Sequence, residues 1–432
     1  MPRGAPCPTK YRWLGRCGHT SSFAAMLSNL IGRFRQYRRQ RRQGGQVTAL
    51  SQADATALAA QAPPDPARVL VVRNDSIGDY LLYRPWLRQL SAAVRGRGQR
   101  LTLVANALWA PLARAWDADA FDELVVVDFG RFTKDLAYRA ETLGALGAQG
   151  FGEVVYPLHV REPAVENFIR FLGAPVRVAS QSGQQGPWVE LINAGYTRLM
   201  PSTLRVLFEY DRNREFFENW QRGATEADAP LVLVPGATAA VPLRLPAAVH
   251  QAADIAAAAG PYIVLFPGAS ARQKRWPTGH FAQLAQGLHR HFGARYRLVT
   301  AGSAADDAYA RRIMRAAGPG VPFDNRCGQT DLPALAALVA GAQLLISNDT
   351  VTAHLGAQAG VPLLVLLMGE NYGKFFPYPA ALLGAPCRCL FPPSQEARFA
   401  QGDFSPPVRD PRIDQITPAR ALAAAIELLP KV

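Results

Sequence analysis

Asp349 and Thr350 lie in a polar turn within the stretch 347–366, SNDTVTAHLGAQAGVPLLVL, between an apolar run and an Ala-rich segment. This order of segments predicts a strand, a turn, a helix and a second strand. Turns at the carboxyl ends of parallel strands bind ligands, because free backbone N–H groups and the helix dipole favour an anionic group. The two side chains are therefore candidates for holding a diphosphate or a ribose. The alternative is that one of them only caps the helix.

A second strand–turn–helix pattern, over 69–90, carries two carboxylates four residues apart, Asp75 and Asp79. Asp79 follows Gly78 in the turn, so we expect its carboxylate to point into a cleft. A carboxylate in such a place can take a proton from a substrate hydroxyl. Asp75 is the competing candidate for that role, and the alternative for Asp79 is the N-cap of a helix that opens at Tyr80.

A third pattern, over 261–288, places basic residues after a small turn, 267–270. Lys274 lies in the loop that follows this turn, where its ammonium group suits a contact to a diphosphate. Ser270 in this turn and Ser76 in the second pattern are weaker candidates for donating to phosphate oxygens. The alternative for Lys274 is a solvated loop charge.

Taken together, the three patterns closely resemble the bacterial heptosyltransferase family of glycosyltransferases, which includes the lipopolysaccharide-core heptosyltransferases. The shared motifs are R-x-D-x-x-G-D from Arg73, P-G-A-x-x-x-x-K-R-W-P from Pro267, and S-N-D-T-x-x-x-H-L-x-A-x-x-G-V-P from Ser347. Their order and spacing also fit, over the stretch 67–429. The resemblance implies an α/β fold of two Rossmann-like domains facing across a cleft, the GT-B type, with the acceptor in the first domain and the donor in the second.

The resemblance also implies roles for individual residues. Asp79 matches the catalytic base of the family, and Lys274 matches the lysine that contacts the donor diphosphate. Asp349, Thr350 and the backbone of Val351 match the donor-binding turn, although some lipopolysaccharide heptosyltransferases have glycine where Val351 stands.

Two further residues are candidates for contacting the donor. His354 lies one helical turn after Thr350 and on the same face, so it is expected to hydrogen-bond to the donor or to the turn, with a buried structural role as the alternative. In the family, a glycine often follows the strand that corresponds to 296–300 here, and a glutamate within two residues of that glycine binds the ribose. Here Gly302 is followed by small residues, and the first acids are Asp306 and Asp307. Asp306 is therefore the candidate for a ribose contact.

The resemblance implies an inverting glycosyltransferase that moves a heptose or a related sugar from a nucleotide-sugar donor to a hydroxyl of a glycan or glycolipid acceptor, such as lipopolysaccharide core. It implies no cofactor and no metal ion, because a lysine and helix dipoles stabilise the departing diphosphate. Two alternatives stay open, since a fold does not fix a function. One is another nucleotide-sugar enzyme, such as an epimerase, and the other is a non-catalytic membrane-associated binding module.

Composition bounds the class of protein. The 432 residues, 49% of them apolar, suffice for two domains with sizeable cores. Most of the net charge of +14 comes from residues 1–42, which hold ten Lys and Arg and no Asp or Glu. The remaining chain has no dense basic stripe with interleaved aromatics, so nucleic acid is not an expected partner. Five cysteines without a disulfide framework indicate a reducing compartment, and we expect a cytoplasmic protein.

The amino-terminal arm has apolar residues at three- and four-residue spacing over 23–34 and arginines over 33–42. This pattern is typical of an interfacial amphipathic helix with a polybasic end, so residues 23–42 are predicted to contact the inner face of the inner membrane peripherally. The alternative is a disordered, solvated tail. No segment has the apolar length of a membrane-spanning helix. The stretch 44–65, rich in Ala and Gln, is interpreted as a linker.

Strand and helix patterns alternate in both halves of the chain, which predicts two parallel sheets. The predicted domains are a basic arm over 1–62, an acceptor domain over 63–225, a linker region over 226–258 and a donor domain over 259–432. Strands are predicted at 68–73, 101–105, 123–127, 153–156, 262–266, 296–300, 343–346 and 363–367. Helices are predicted at 79–96, 107–117, 133–147, 211–222, 278–292, 305–317, 332–341, 351–359 and 418–429.

Overall fold

The computed structural model describes residues 44–184, 186–231, 233, 243–257, 260–405 and 412–429. The segment 23–42, for which membrane contact is predicted, lies outside these residues. Within the described ranges, no helix combines the length and the hydropathy needed to cross a membrane.

The first domain is built on a parallel six-stranded sheet with the order β3-β2-β1-β4-β5-β6. Its strands are β1 (Arg68–Arg73), β2 (Arg100–Asn106), β3 (Glu123–Val127), β4 (Glu153–Tyr156), β5 (Val176–Ser180) and β6 (Arg198–Met200). A helix described over 44–57, α1, precedes them. The other helices are α2 (Ile77–Gly96), α3 (Ala110–Trp116), α4 (Phe129–Phe132), α5 (Leu136–Gly147), α6 (Pro163–Glu166), α7 (Pro187–Asn193) and α8 (Glu209–Gln221).

The second domain has a parallel sheet of its own, with the order β12-β11-β10-β7-β8-β9. Its strands are β7 (Tyr262–Phe266), β8 (Arg297–Thr300), β9 (Phe323–Asn325), β10 (Leu344–Asn348), β11 (Leu363–Leu366) and β12 (Cys387–Leu390). Its helices are α9 (Ala247–Ala257), α10 (Thr278–Phe292), α11 (Asp307–Ala317), α12 (Leu332–Ala340), α13 (Val351–Ala359), α14 (Pro393–Ala400) and α15 (Pro418–Leu428).

The two sheets share one topology. In each domain the first strand, β1 or β7, lies in the centre between the second and the fourth strand of that domain. This is the doubly wound order, and ligands bind such sheets at the carboxyl ends of the central strands, where the strand order reverses. The central strand β7, Tyr262–Phe266, is apolar and buried from end to end, because helices cover both faces of a parallel sheet. The predicted pair of Rossmann-like domains is confirmed.

The two domains contact each other through α2 and α13, the helices that follow β1 and β10. The buried amide of Gln358 in α13 donates to the carbonyl oxygen of Leu81 in α2 at 3.2 Å. The rings of Phe208, at the start of α8, and Tyr378 from the second domain meet edge to face at 4.8 Å. The two domains therefore pack against each other along these helices.

The interpretation of 44–65 as a linker, and with it the end of the arm at 62, is wrong. In α1 the fully buried carboxylate of Asp54 pairs with the guanidinium of Arg139 at 2.5 and 2.7 Å and accepts from the amide of Asn167 at 2.6 Å. Leu58 packs into the core of the first domain beside these groups. Up to residue 57, the alanines and glutamines of this stretch belong to an amphipathic helix, which their high helix propensity permits.

The second domain begins earlier than the predicted residue 259. Helix α9 packs so closely on α12 that a Cβ atom at Gly341 would lie 2.9 Å from the carbonyl oxygen of Ala253. The Ala/Pro-rich stretch that precedes β7 therefore contains a helix of the second domain as well as a connection.

Candidate active site in the interdomain cleft

Asn348, the last residue of β10, fixes the turn over 348–351, which we call the second turn. Its buried amide nitrogen donates to the carbonyl oxygens of Pro267 and Gly268 at 2.8 and 3.3 Å. Its side-chain oxygen accepts from the backbone N–H of Trp276 at 3.1 Å. The indole of Trp276 is buried and donates to the carbonyl oxygen of Ile416 at 2.8 Å. One amide thus holds the turns after β7 and β10 and the basic loop between them together.

Lys274 lies in that basic loop and reaches across to the second turn. Its ammonium group lies 3.0 Å from Oδ2 of Asp349, and both side chains are largely buried, at 19% and 15% exposure. The alternative of a solvated loop charge is therefore wrong for Lys274. The neighbouring Arg275 donates twice to the carbonyl oxygen of Ala269, at 3.0 and 2.9 Å, and so braces the loop.

The turn over 74–79, which we call the first turn, connects β1 to α2. Its backbone is held from the side, because Asn106 donates to the carbonyl oxygens of residues 74 and 75, and the indole of Trp109 donates to the latter at 3.1 Å. Ser76 occupies the N-cap position of α2, and Asp79 is the third residue of the helix. The carboxylate of Asp79 accepts from the hydroxyl of Ser76 at 2.5 Å. Asp79 is therefore not the N-cap of α2.

The second turn opens helix α13 in a similar way. Thr350 occupies its N-cap position, but its side chain makes no capping hydrogen bond. The carboxylate of Asp349 is engaged by Lys274. Neither residue serves only as a cap, and the first N–H groups of α13, from Val351 onward, face the cleft with the positive end of the helix dipole.

The amino-terminal ends of α2 and α13 touch at one glycine. A Cβ atom at Gly78 would lie 2.9 Å from Cδ2 of His354, so only glycine permits this approach. Nδ1 of His354 is 2.8 Å from the hydroxyl of Tyr378. Burial lowers the pKa of His354 to about 4, so the imidazole is neutral at physiological pH. This result favours a positioning role for His354, although its ring also lines the cavity described next.

One cavity of about 250 Å³ opens between the two turns. Phe375 and Leu108 close parts of its wall. Every residue predicted as catalytic or donor-binding, except the ribose candidate, lines it: Ser76, Asp79, Ser270, Lys274, Asp349, Thr350, Val351 and His354. The sequence therefore identified the residues that the fold brings together from both domains.

Asp306 does not line this cavity. Its carboxylate accepts from the backbone N–H and the hydroxyl of Ser303, at 2.9 and 2.7 Å, in a capping box. It also lies against Gly268 and Gly302, since a Cβ atom at either position would come within 2.8 Å of Asp306. The acid therefore lies at the carboxyl ends of β7 and β8, where it braces the backbone, and a ribose contact stays a prediction.

The competing carboxylate, Asp75, is held by a neighbour that the sequence did not assign. The buried guanidinium of Arg73 pairs with it and donates to the amide oxygen of Asn213 at 3.0 Å. Burial raises the pKa of Asp75 to about 6, and the Arg73 charge opposes that rise. Asp75 is engaged in this ion pair, whereas Asp79 is bound by one hydroxyl, which makes Asp79 the better placed base.

A second group that sequence reasoning missed joins the domains beside the cavity. The backbone N–H of Glu209 donates to the carbonyl oxygen of Lys374 at 2.8 Å, and the two side-chain charges lie 3.8 Å apart. Burial raises the pKa of Glu209 to about 7, and repulsion from Asp79 adds to the rise. The signal in the sequence was weak, because Glu209 opens a helix whose aromatic stripe indicates packing alone.

A metal ion would need a cluster of ligating side chains. In the part of the chain that the structure describes, no three His, Cys, Asp or Glu side chains cluster in a way that could bind one. Asp79 accepts from a hydroxyl, and Asp349, Asp75 and Glu209 are each paired with a basic group, as described above.

Comparison with known proteins places the second domain in a family. Residues 232–382 match the family described as "Glycosyltransferase family 9 (heptosyltransferase)". Lipopolysaccharide heptosyltransferase 2 of Salmonella typhimurium is 30% identical over 172 residues, which are 39% of this chain and 47% of the relative. The matched segment thus spans about half the length of this curated relative.

Solved structures extend the likeness over both domains. A family 9 glycosyltransferase from Veillonella parvula superposes with a TM-score of 0.60, at 20% identity, over 85% of this chain and 98% of its own. The ADP-heptose lipopolysaccharide heptosyltransferase II of E. coli gives a TM-score of 0.57, at 20% identity, over 84% and 98%. At this identity the superpositions show the fold, which is the GT-B arrangement. The chain is thus similar to lipopolysaccharide heptosyltransferases, and residues 232–382 within it match the glycosyltransferase family 9 (heptosyltransferase) model.

Proposed function

We propose that the protein is an inverting, metal-independent glycosyltransferase. It moves a heptose or a related sugar from a nucleotide-sugar donor to a hydroxyl of a cell-envelope glycan, such as lipopolysaccharide core. One observation carries the proposal: a single cavity places a carboxylate of one domain, Asp79, opposite a lysine and a helix amino terminus of the other. The family match over the second domain supports the same chemistry.

Asp79 acts first on the acceptor. Its carboxylate takes the proton from the acceptor hydroxyl, and the oxygen then attacks the anomeric carbon of the donor sugar. The hydroxyl of Ser76 donates to this carboxylate and orients it at the start of α2. Attack from the side opposite the leaving group inverts the configuration of that carbon.

The second turn acts on the leaving group. As the bond between the anomeric carbon and the diphosphate breaks, its electron pair and the negative charge pass to the diphosphate. Lys274 and the first N–H groups of α13 border the cavity where this charge develops. Lys274 exchanges the carboxylate of Asp349 for the diphosphate, and Asp349 is then available to a ribose hydroxyl. The neutral His354 holds the two helix ends in place.

ADP-heptose is the first donor to test, because the name of the E. coli neighbour specifies it. The purified full chain is incubated with ADP-heptose and a heptose-deficient lipopolysaccharide core. We expect release of ADP and a mass increase of one heptose on the acceptor. Release of ADP or conversion of the sugar without an acceptor would instead indicate an epimerase-like or hydrolytic enzyme. Thermal-shift screening against nucleoside diphosphates identifies the base, because a ligand that binds the folded state raises the melting temperature.

The proposed place of action is the inner face of the inner membrane, reached through the arm over 23–42. A single short amphipathic helix binds anionic vesicles weakly and reversibly. The test compares the full chain with one that begins at residue 44, since α1 belongs to the first domain and must be kept. Equal partitioning of the two chains onto anionic vesicles would show that the arm has no role in membrane contact.

A further inference from the structure

A second cavity, of about 240 Å³, lies beside the active-site cavity and is also lined by both domains. The two cavities share one loop, because Lys374 lines the second cavity and Phe375, the next residue, lines the first. Because about 10–15 Å³ of such space is enough for one water, the cavity admits a group much larger than a water molecule. This is room for one ring-sized group next to the reacting hydroxyl, and the proposed function assigns no residue here a role.

We propose that this second cavity binds a hydroxyl-rich sugar unit of the acceptor that carries neither phosphate nor carboxylate, adjacent to the unit that receives the transferred sugar. This proposal rests on the proposed glycosyltransferase function and names the acceptor chemistry of the same cleft. It assigns Glu370 as the residue that reads the hydroxyls of this unit.

Glu370 has a buried carboxylate oxygen, Oε1, with no hydrogen-bond partner among the residues that the structure describes. Glu370 also lines the second cavity, so its carboxylate can accept from a hydroxyl of a ligand there. A phosphate or carboxylate at the same place would be repelled by the glutamate.

The other groups at the cavity are suited to neutral hydroxyls too. Burial lowers the pKa of His159 to about 4, so its ring is neutral and carries one donor and one acceptor. Glu209, with a pKa raised to about 7, is paired with Lys374 across the cavity. The guanidinium of Arg212 is already used, since it donates to Glu215 at 2.6 Å and to three further oxygens. Arg205 is exposed at the mouth.

Apolar side chains form the rim of this cavity. Four of the exposed large hydrophobic residues of the described chain line it, with exposures of 48–79%: Val160, Leu204, Val206 and Phe404. The ring of Phe404 stacks on that of Tyr372 at 5.0 Å. A sugar ring has polar edges and C–H faces, so a cavity with hydrogen-bonding groups inside and an apolar rim matches both of its surfaces.

The test uses the full chain with its donor site filled by ADP, so that the first cavity is occupied while the second stays open. Saturation-transfer NMR is recorded with methyl glycosides of three neutral hexoses and with the methyl glycoside of glucuronic acid. We expect a saturation-transfer signal from at least one neutral glycoside and a weaker signal from the glucuronide. In Glu370→Leu, the affinity for the neutral glycoside should fall at least tenfold. The matched control, Glu427→Leu, removes an exposed carboxylate on α15 and should bind as the wild type does.

The stability of the Glu370→Leu variant provides a second readout. Because the carboxylate has a buried oxygen without a partner, its replacement by leucine should leave the melting temperature unchanged or raise it. Loss of sugar binding in a protein of equal or greater stability supports a binding role. Any of three results overturns the proposal: unchanged sugar binding in Glu370→Leu, preferential binding of the glucuronide, or no saturation-transfer signal from any glycoside.

Two outcomes separate this proposal from the proposed function. If ADP binds and no neutral glycoside does, the acceptor subsite is wrong and the donor site stands. If a neutral glycoside binds in a Glu370-dependent manner while neither ADP nor any other nucleoside diphosphate binds, the sugar subsite stands and the transferase assignment fails.

Discussion

The first turn, 74–79, and the second turn, 348–351, follow central strands of equivalent domains, but they use their polar groups differently. In the second turn Asn348 holds three backbone groups and Asp349 pairs with Lys274. In the first turn the backbone is held by residues outside it, Asn106 and Trp109, and the acid Asp79 is bound by one hydroxyl only.

This difference separates a binding platform from a reactive group. The second turn is internally satisfied, so it can present a lysine and helix N–H groups to an anion without rearranging its backbone. The first turn leaves one carboxylate free to change its protonation state. Electrostatic stabilisation of a leaving group requires groups fixed in advance, whereas a general base must exchange a proton in every turnover.

The largest effect is expected from removing the reactive group. Asp79→Asn keeps the side-chain volume and an acceptor for Ser76, but it cannot take a proton. We expect the transfer rate to fall by about 10² to 10⁴, while nucleotide affinity and melting temperature stay at their wild-type values. Steady-state kinetics with saturating donor measures the rate.

The matched control is Asp119→Asn, which alters a mostly exposed carboxylate paired with Arg88 on the surface of the first domain. It should transfer sugar at the wild-type rate. Near wild-type activity in Asp79→Asn would show that Asp79 is not the general base, and Asp75 would then be the carboxylate to test.

Removing the ammonium group of Lys274 should weaken nucleotide binding more than it slows proton removal by Asp79. Lys274→Ala loses a charge-assisted contact of about 1.5–3 kcal/mol, so the affinity for the nucleoside diphosphate should fall by about tenfold to a hundredfold. Calorimetric titration with ADP measures this change. Arg272→Ala, in the same loop but exposed and away from the cavity, is the control. Equal ADP affinity in both variants would show that Lys274, beside the second turn, does not bind the diphosphate.

The buried carboxylate of Glu209, which lies near Asp79 of the first turn, predicts a pH dependence of stability. Burial raises the pKa of Glu209 in the folded state to about 7, from an ordinary value of 4.5. The folded state therefore binds more protons than the unfolded state between these values, and the contribution of Glu209 to stability is lost as the pH rises from about 4.5 to 7. Glu209→Gln lacks this loss. Relative to the wild type, it should gain at most about 3 kcal/mol above pH 7 and nothing below pH 4.5.

Denaturant unfolding at a series of pH values measures this difference. Glu427→Gln, a change at an exposed carboxylate, is the control and should follow the wild-type curve. A difference between Glu209→Gln and the wild type that does not vary with pH would mean that Glu209 has the same pKa in the folded and in the unfolded state.

Sequence predicted the second domain better than the first, for physical reasons. The bounds of α10 and α13 agree with the predicted ones, 278–292 and 351–359, because Pro277 precedes one helix and Gly360 ends the other in a left-handed conformation. The strands β5, β6, β9 and β12 were not predicted. They are edge or near-edge strands of three to five residues, such as Arg198–Met200, and such short runs carry no clear period.

The candidate site divides in the same way. Motif residues such as Asp79 and Lys274 were found because strand–turn–helix patterns carry them to the carboxyl ends of strands. Glu209 was not, because it reaches the cleft from a distant segment, and nothing in a single sequence reports which segments meet. Phe375 and Lys374, which come from a segment outside these patterns, line the two cavities.

The smallest effect is expected from a change at the contact between Gly78 of α2 and His354 of α13. A Cβ atom at Gly78 would lie 2.9 Å from the buried ring of His354, so Gly78→Ala must separate the ends of α2 and α13 or displace the imidazole. Overpacking of this kind costs about 1–3 kcal/mol. Gly96→Ala is the matched control, since it lies in the same helix with no other atom within 4 Å, and there alanine should be neutral or stabilising.

The double variant Gly78→Ala/His354→Ala completes the argument, because it removes the ring that the added methyl group meets. If the turns act together through this contact, Gly78→Ala lowers both the melting temperature and the transfer rate, and His354→Ala in the same chain restores part of the melting temperature. A Gly78→Ala protein that melts and transfers sugar as Gly96→Ala does would show that the domains need not be closed at this point, and that the two turns work at a greater separation than the structure shows.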